Sequence, residues 1–331
     1  MDAANGPERQ ETVAQLLVDA AVWAPSPHNT QPWWFEPHGE TVTLHSDTER
    51  RLSVADPSGR EMLISCGAAL FTLRLAVRRL GRLPEVRMAS DPDRPGLIAD
   101  VVLGEPQSAT DEERRMYDQI KRRRTHRGGF RAGALPVGLL QSLRAHACAE
   151  HASLRIVADP RVRIALAALS EVAEQVQCLD PAYVDEVARW APAPCSEPLD
   201  GVPETAYPRD TDRTDPHFAG RDFARGQGWG LVGGEPGEAT GVVAVLATMG
   251  DGRDDWLRAG QALQRVLLRA TEDDVSAAFH TQALEVPELR EFIRARFCDG
   301  TYPQMMVRFG VADDEFDSVR RPAADVTVGE L

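Results

Sequence analysis

Several signatures that would assign a function at once are missing from these 331 residues. The five cysteines (Cys66, Cys148, Cys178, Cys195, Cys298) are odd in number, scattered and never spaced as CxxC. No Cys/His group has zinc-ligand spacing, so reduced thiols are the simplest reading and no metal site is expected. His146 and His151 stand five apart, off a common helical face, and are expected at the surface. No G-x-G-x-x-G follows a strand, which leaves a Rossmann-type dinucleotide site unsupported, and no nucleophile motif is recognisable. The uncharged apolar runs 62–73 and 239–250 are about a dozen residues, too short to span a bilayer. The opening MDAANGPERQE lacks the basic-then-apolar order of a signal peptide, so a cytoplasmic protein with no membrane partner is expected.

Positive charge is also in deficit. Lys+Arg of 37 against Asp+Glu of 51 gives a net charge of −14. Such a surface repels polyphosphate and argues against nucleic acid as a partner. Any anion site must then be built locally, from clustered arginines. The 43% hydrophobic content is ample for a core.

Apolar spacing predicts helices over 12–24, 58–81, 110–123, 136–147, 160–176, 181–190, 254–270 and 287–297. Strands are expected near 32–37, 42–47, 84–89, 98–103, 153–157, 241–248 and 304–309, with 318–331 as an arm. Ser58 and Glu61 have capping-box spacing at the start of the second helix. That helix, MLISCGAALFTLRLAV, is apolar nearly all round, as a helix buried on every side should be. Two matches suggest an internal repeat: VDAAVWAPSP (18–27) with VDEVARWAPAP (184–194), and CGAALFTLRLA (66–76) with AGQALQRVLLRA (259–270). They read either as two related halves about a pseudo-twofold axis or as buried helices of similar composition. Residues 191–238 hold seven prolines and eight glycines among 48, too long for a plain connector. A lid and an unstructured insertion are both compatible with that composition, and Trp229 within it suits either a plug or a core anchor.

Two clusters carry chemistry. Lys121-Arg122-Arg123-Arg124-Thr125-His126-Arg127 concentrates guanidiniums beside a hydroxyl, as a phosphate needs; by itself such a run also serves as a solvated face. Pro25-Ser26-Pro27-His28-Asn29-Thr30-Gln31-Pro32-Trp33-Trp34-Phe35 packs hydrogen-bonding side chains into a rigid turn before an aromatic strand. It supplies donors and acceptors for the pyrimidine edge of a flavin and an apolar wall, where capping a helix would need only one of them.

WAPSPHNTQPWWF resembles the flavin-contacting turn of the nitroreductase superfamily, roughly A-P-S-x-x-N-x-Q-P-W-x-F, and IKRRRTHRGGF resembles its phosphate signature R-x-[ST]-x-[RK]. The order of the two, with LRAGQALQRVLLRAT, YPQMMVRFG and a closing Arg-Arg-Pro, is similar to the single-chain Acg branch. The resemblance implies an α+β nitroreductase-like fold, a mainly antiparallel sheet wrapped by helices. It implies two intertwined halves, 1–110 and 111–331, that mimic a homodimer within a monomer. It implies one FMN per chain: Arg123, Thr125, Arg127 and Arg320 on the phosphate, Pro25, Ser26, Asn29 and Gln31 along the ring, and Ala278, Phe279 and Gln282 on its other side. A second site would need PERQETV and APAPCSEPLDG to match the two signatures, and both are degenerate. The implied activity is transfer of hydride from NAD(P)H through FMN to a nitro, quinone or similar small-molecule acceptor, with no separate catalytic triad. The alternative is a protein that stores FMN beneath a lid over 191–238 with little turnover.

Overall fold

The computed structural model describes residues 12–89, 93–209, 214–232, 239–312 and 316–329. Residues 7–11 of PERQETV, and 210–213 and 233–238 of the Pro/Gly-rich stretch, lie outside them. Helix α1 (Val13–Ala21) opens on Thr12, whose hydroxyl accepts from the Gln15 amide at 3.1 Å, and is followed by the turn 22–32. Strands β1 (Trp33–His38) and β2 (Thr41–Ser46) form a hairpin. Helix α2 (Arg60–Arg79) and strands β3 (Arg82–Met88) and β4 (Leu97–Pro106) complete the first sheet, ordered β1-β2-β4-β3 with every neighbour antiparallel.

Helices α3 (Asp111–Asp118) and α4 (Leu139–Ala149) lead to β5 (Ser153–Ile156), α5 (Pro160–Cys178) and α6 (Pro181–Arg189). After a long covering segment come β6 (Val242–Thr248), α7 (Arg253–Glu272), β7 (Ser276–Phe279), α8 (Gln282–Glu285), α9 (Pro287–Phe297) and β8 (Tyr302–Gly310). The second sheet, β5-β6-β8-β7, repeats the order and direction of the first. In each half a 20-residue helix, α2 or α7, crosses from the second strand to the third. The fold is thus α+β, with two related halves in one chain.

The topology upholds only one of the two sequence repeats. The α2 and α7 segments are true counterparts. The helix carrying VDEVARWAPAP is α6, inserted between β5 and β6 and packed on α5, whereas α1 precedes β1 and packs on α2. The counterpart of α1 is α4, which precedes β5 and packs on α7. The second WAP stretch instead lies against the first turn: the Val202 amide donates to the Trp190 carbonyl at 2.8 Å and the Gly201 amide to the Asn29 carbonyl at 3.3 Å.

Three further expectations shift. The helix expected over 110–123 ends at Asp118, because Arg122 and Arg123 amides turn back onto the Gln119 carbonyl and Thr125 bridges Ala277 of β7. The Ser58–Glu61 capping box does not form; Gly59 caps α2 without a side-chain bond, and Glu61 turns inward. His146 is buried, accepting from Arg265 Nε of α7 at 3.3 Å, because α4 turns it onto that helix. Strand β7 and the short α8 escape the sequence reading, being only four residues each.

The two long helices meet at glycines. A Cβ on Gly67 would fall on the Leu257 carbonyl oxygen, and one on Gly260 on the Ile64 carbonyl oxygen. Buried Gln264 Nε2 donates to Thr72 Oγ1 at 3.1 Å across the same contact. One core lies between the first sheet and α1/α2, a second between the other sheet and α4/α7, and a third on that sheet's opposite face under α5 and α9. The tail returns to the first half, where Thr327 bridges Phe35. No helix among the described residues is long and apolar enough to cross a membrane.

Because backbone stands where the side chain would go, Gly260→Val must push the halves apart. Overpacking costs about 1–3 kcal/mol, and for a chain of this size that is about 2–4 °C of melting temperature per kcal/mol. Thermal unfolding of Gly260→Val should show a drop of that order, while Gly220→Ala, which meets nothing within 4 Å, should be far milder.

Candidate functional site

The site begins where α1 stops. Pro25 and Pro27 prevent helix continuation, and the next residues adopt a conformation unusual for side-chain-bearing residues: His28, Asn29 and Gln31 have φ of 48°, 55° and 49°. Left-handed backbone at non-glycine residues costs on the order of 1–3 kcal/mol each, so the surroundings must hold the turn. They do so from three parts of the chain. The Gln31 amide donates to Ser26 Oγ at 2.9 Å, and Arg50 Nε to the Thr30 carbonyl at 2.6 Å. From the arm, Asn29 Nδ2 reaches the Val319 carbonyl at 3.1 Å, and the Arg321 amide reaches Gln31 Oε1 at 2.8 Å. From the covering segment, the Leu199 carbonyl accepts from Gln31 Nε2 at 2.9 Å. Gln31 is therefore a clamp within the turn; it lines none of the adjacent cavities.

Three cavities meet at Ser26. The first is a narrow one walled by Pro25, Asn29, Thr125, Arg127, Asp317 and Arg320. The second, about 490 Å³, is walled by His28, Thr125, Arg127, Tyr207, Arg221, Phe223, Ala278, Phe279 and Thr281. The third, about 60 Å³, lies among Glu61, Ser65, Phe279 and Thr281. Residues from both halves, the arm and the covering segment are thus gathered at one seam. Of the ring-side expectations, Ala278 and Phe279 line it, while Gln282 is buried behind, donating to the Ala219 carbonyl at 3.1 Å. A separate cavity of about 440 Å³ near Arg131, Arg163 and Asp215 contains none of the expected FMN-binding residues.

The narrow end is crowded with guanidiniums: Arg127 and Arg320 line it, and Arg123, which lines none of the three cavities, is buried beside Arg320. Arg123 is only 2% exposed; Nη2 donates to the Trp23 carbonyl at 3.2 Å, while Nε and Nη1 have no partner. Arg320 donates Nη1 to Asn29 Oδ1 at 2.9 Å and keeps Nε unpaired. Burial and the neighbouring Arg124 and Arg127 pull the Arg123 pKa down to about 9, and burial brings Arg127 to about 10. Arg320 is depressed further by burial and by Arg123, Arg124 and Arg127. Buried guanidiniums that repel one another and keep N–H donors idle are costly unless an anion joins them. Arg122 behaves differently: it is 55% exposed on its side chain and paired with Asp274 at 2.7 Å.

Sequence reasoning passed over His28. It is 5% exposed, both ring nitrogens lack partners, and its edge meets the Phe223 ring at 5.5 Å. Burial, Arg221 and Arg127 hold its pKa well below the usual value, so the imidazole is neutral. Its position in the turn between Ser26 and Asn29 was the available signal.

The covering segment contributes Tyr207 and Phe223, not Trp229, to the main cavity. Trp229 packs in the hydrophobic cluster of Leu52, Tyr183, Trp190, Tyr207 and Phe223, as an anchor, with Arg225 over its ring at 5.0 Å. Arg221 ties the segment to the body by pairing with Glu285 of α8 and Tyr183 of α6.

No family profile matches the chain. A Mycobacterium tuberculosis protein named as the NAD(P)H nitroreductase acg is 31% identical over 324 residues, covering 95% of this chain and 95% of its own length. A second protein of that organism, also named as an NAD(P)H nitroreductase, is 33% identical over 309 residues, 91% of this chain and 86% of its own. Among solved structures, the Bacteroides fragilis nitroreductase with bound FMN aligns at a TM-score of 0.40 and 13% identity, covering 65% of this chain and 98% of its own. The Mycobacterium smegmatis FMN-dependent nitroreductase NfnB, in complex with NADPH, aligns at 0.38 and 18% identity, covering 67% of this chain and all of its own (100%). These structural scores are low, and it is the near full-length sequence relatives that decide the assignment: the chain belongs to the nitroreductase family, in the branch of Acg.

Proposed function

We propose that the protein holds one FMN across the joined cavities and acts as a nitroreductase-type oxidoreductase using NAD(P)H and a small acceptor. The observation that carries this reading is a set of buried, unpaired guanidinium donors, on Arg320 in the wall of the narrow cavity and on Arg123 buried beside Arg320, next to a cavity of ligand size, about 490 Å³, that shares Thr125 and Arg127 with the narrow one. A phosphate monoester answers their charge and geometry, with Thr125 and Arg127 on the same wall. Pro25, Ser26, Asn29 and neutral His28 form the first-half wall, and Ala278 and Phe279 face them. The imidazole can donate or accept without adding charge, which suits a polar ring edge. The chemistry that FMN supplies when bound is two-electron transfer between a reduced nicotinamide and an acceptor such as a nitro compound or quinone. The chain binds, orients and excludes water. A single FMN is expected because the connection after α4 is only residues 150–152, too short to form a second turn of this kind. The fused halves favour a monomer.

A second reading, retention of FMN with little turnover, is favoured by the covering segment. Phe223 stands against His28 over the main cavity, and the Arg221–Glu285 pair pins the segment where a nicotinamide would have to enter.

FMN released from the purified protein should be about one per chain. Losing a charge-assisted hydrogen bond costs roughly 1.5–3 kcal/mol, so Arg123→Ala and Arg127→Ala should each weaken FMN by roughly one to two decades. Arg122→Ala should cost little, and equal losses at all three positions would mean the register is wrong. Stability of the ligand-free protein should move the other way. Arg123→Met removes a buried charge that has one hydrogen bond and two idle donors, so its ligand-free melting temperature should match or exceed that of the wild type although FMN binds less tightly. To separate the two readings, reduction by NADPH is compared with reduction by dithionite. Under the storage reading dithionite reduces the intact protein readily and NADPH slowly, and Phe223→Ala speeds only NADPH. Rapid reduction of the intact protein by NADPH would remove the case for a closed cover.

A further inference from the structure

The seam contains a carboxyl that the binding reading leaves without a role. Glu61 lies in the first turn of α2 and is 3% exposed. Its side chain forms part of the wall of the cavity of about 60 Å³, together with Ser65. That chamber shares Ser26, Pro27, Phe279 and Thr281 with the main cavity, so Glu61 stands in a side chamber adjoining the space where a ligand would lie. Its wall is mostly apolar, with Glu61, Ser26, Ser65 and Thr281 as the polar members.

The charge around Glu61 does not balance. Facing it are Arg60 of the same turn, which donates Nη2 to its Oε1 at 2.8 Å, Asp56 from the preceding loop, Glu285 of α8 and Arg221 of the covering segment. Both guanidiniums are shared: Arg60 gives Nη1 to the Gln304 carbonyl at 2.6 Å, and Arg221 pairs with Glu285 and Tyr183. Three carboxyls against two guanidiniums leave one negative charge uncompensated in a dry interior, so the group retains a proton. Burial, then Glu285, push Glu61 up to about 8 in spite of Arg60, and burial raises Asp56 as well. The close Arg60 contact argues for ionisation, but the surplus carboxyl outweighs it.

We propose that Glu61 is the proton-exchanging group of this site, passing its proton through the side chamber to the ligand reduced in the main cavity. The Glu61 O–H bond breaks and a new bond to hydrogen forms on the ligand; the two electrons come from a reduced nicotinamide or from dithionite, and the carboxylate recovers a proton from solvent water. This role rests on the reading that the cavity holds FMN.

The test is a dithionite redox titration of the FMN-loaded protein across neutral and alkaline pH, a potential measurement that needs no turnover. Negative charge gained on reduction raises the affinity of Glu61 for its proton. Below about 8 the carboxyl is protonated in both redox states; above it, reduction takes up an additional proton. The wild-type potential should therefore fall more steeply with pH above about 8 than below it. Glu61→Gln should lose that break. Glu285→Gln, which removes a facing negative charge, should move the break to lower pH, and it decides the matter should Glu61→Gln fail to retain FMN. A break that survives in Glu61→Gln, stays fixed in Glu285→Gln, or is absent from FMN-loaded wild type overturns the role. FMN stoichiometry is measured first; a chain that binds none overturns the reading of the cavity and this role with it.

Discussion

The contact between α2 and α7 is the constraint on which the molecule turns. Two 20-residue helices from different halves touch backbone to backbone because Gly67 and Gly260 leave no side chain between them. Close approach brings dispersion and polar contact, such as the Gln264–Thr72 bond, that bulkier residues would forfeit. It also sets the seam. Glu61, Ile64 and Ser65 of α2 and Leu263 of α7 line one chamber because those helices cross where they do. The site is a product of the interface between halves, and neither half contains it.

The site is built from costs that the rest of the fold covers. Three left-handed non-glycine residues, crowded guanidiniums and a surplus carboxyl all oppose folding. The turn is held by bonds from the arm, the covering segment and Arg50, and the large cores supply stability elsewhere. Such concentration of strain and unpaired charge at one place marks a candidate functional site. Much of the cost falls due in the ligand-free protein, so ligand and fold should be strongly linked.

Local composition made the two chemical clusters legible. Proline spacing, Asn and Gln in one turn, and Arg-x-Thr-x-Arg state their requirements within a few residues. Arg320 was legible only through family likeness, because 290 residues of chain separate it from the turn it touches. His28 was overlooked because a histidine in a turn gives no sign of whether its nitrogens will find partners; only the packing of Phe223 over it shows that they do not. The Ser58–Glu61 spacing suited a cap, but Arg60 and Arg221 attract the carboxyl inward, where it meets Asp56 and Glu285.

The sequence by itself determined the class of elements, the buried character of α2, the likeness of α2 to α7 and the arginine cluster on which the proposed phosphate site rests. Periodicity and short motifs suffice for these, since each depends on neighbours along the chain. Tertiary structure alone decided that α4, not α6, answers α1, and that the second WAP turn serves the first site. It likewise decided that Trp229 anchors while Phe223 covers, and that Gln31 clamps while Glu61 faces the cavity. Those outcomes depend on which distant surfaces meet at the α2–α7 crossing, and no local pattern records the partner across a contact.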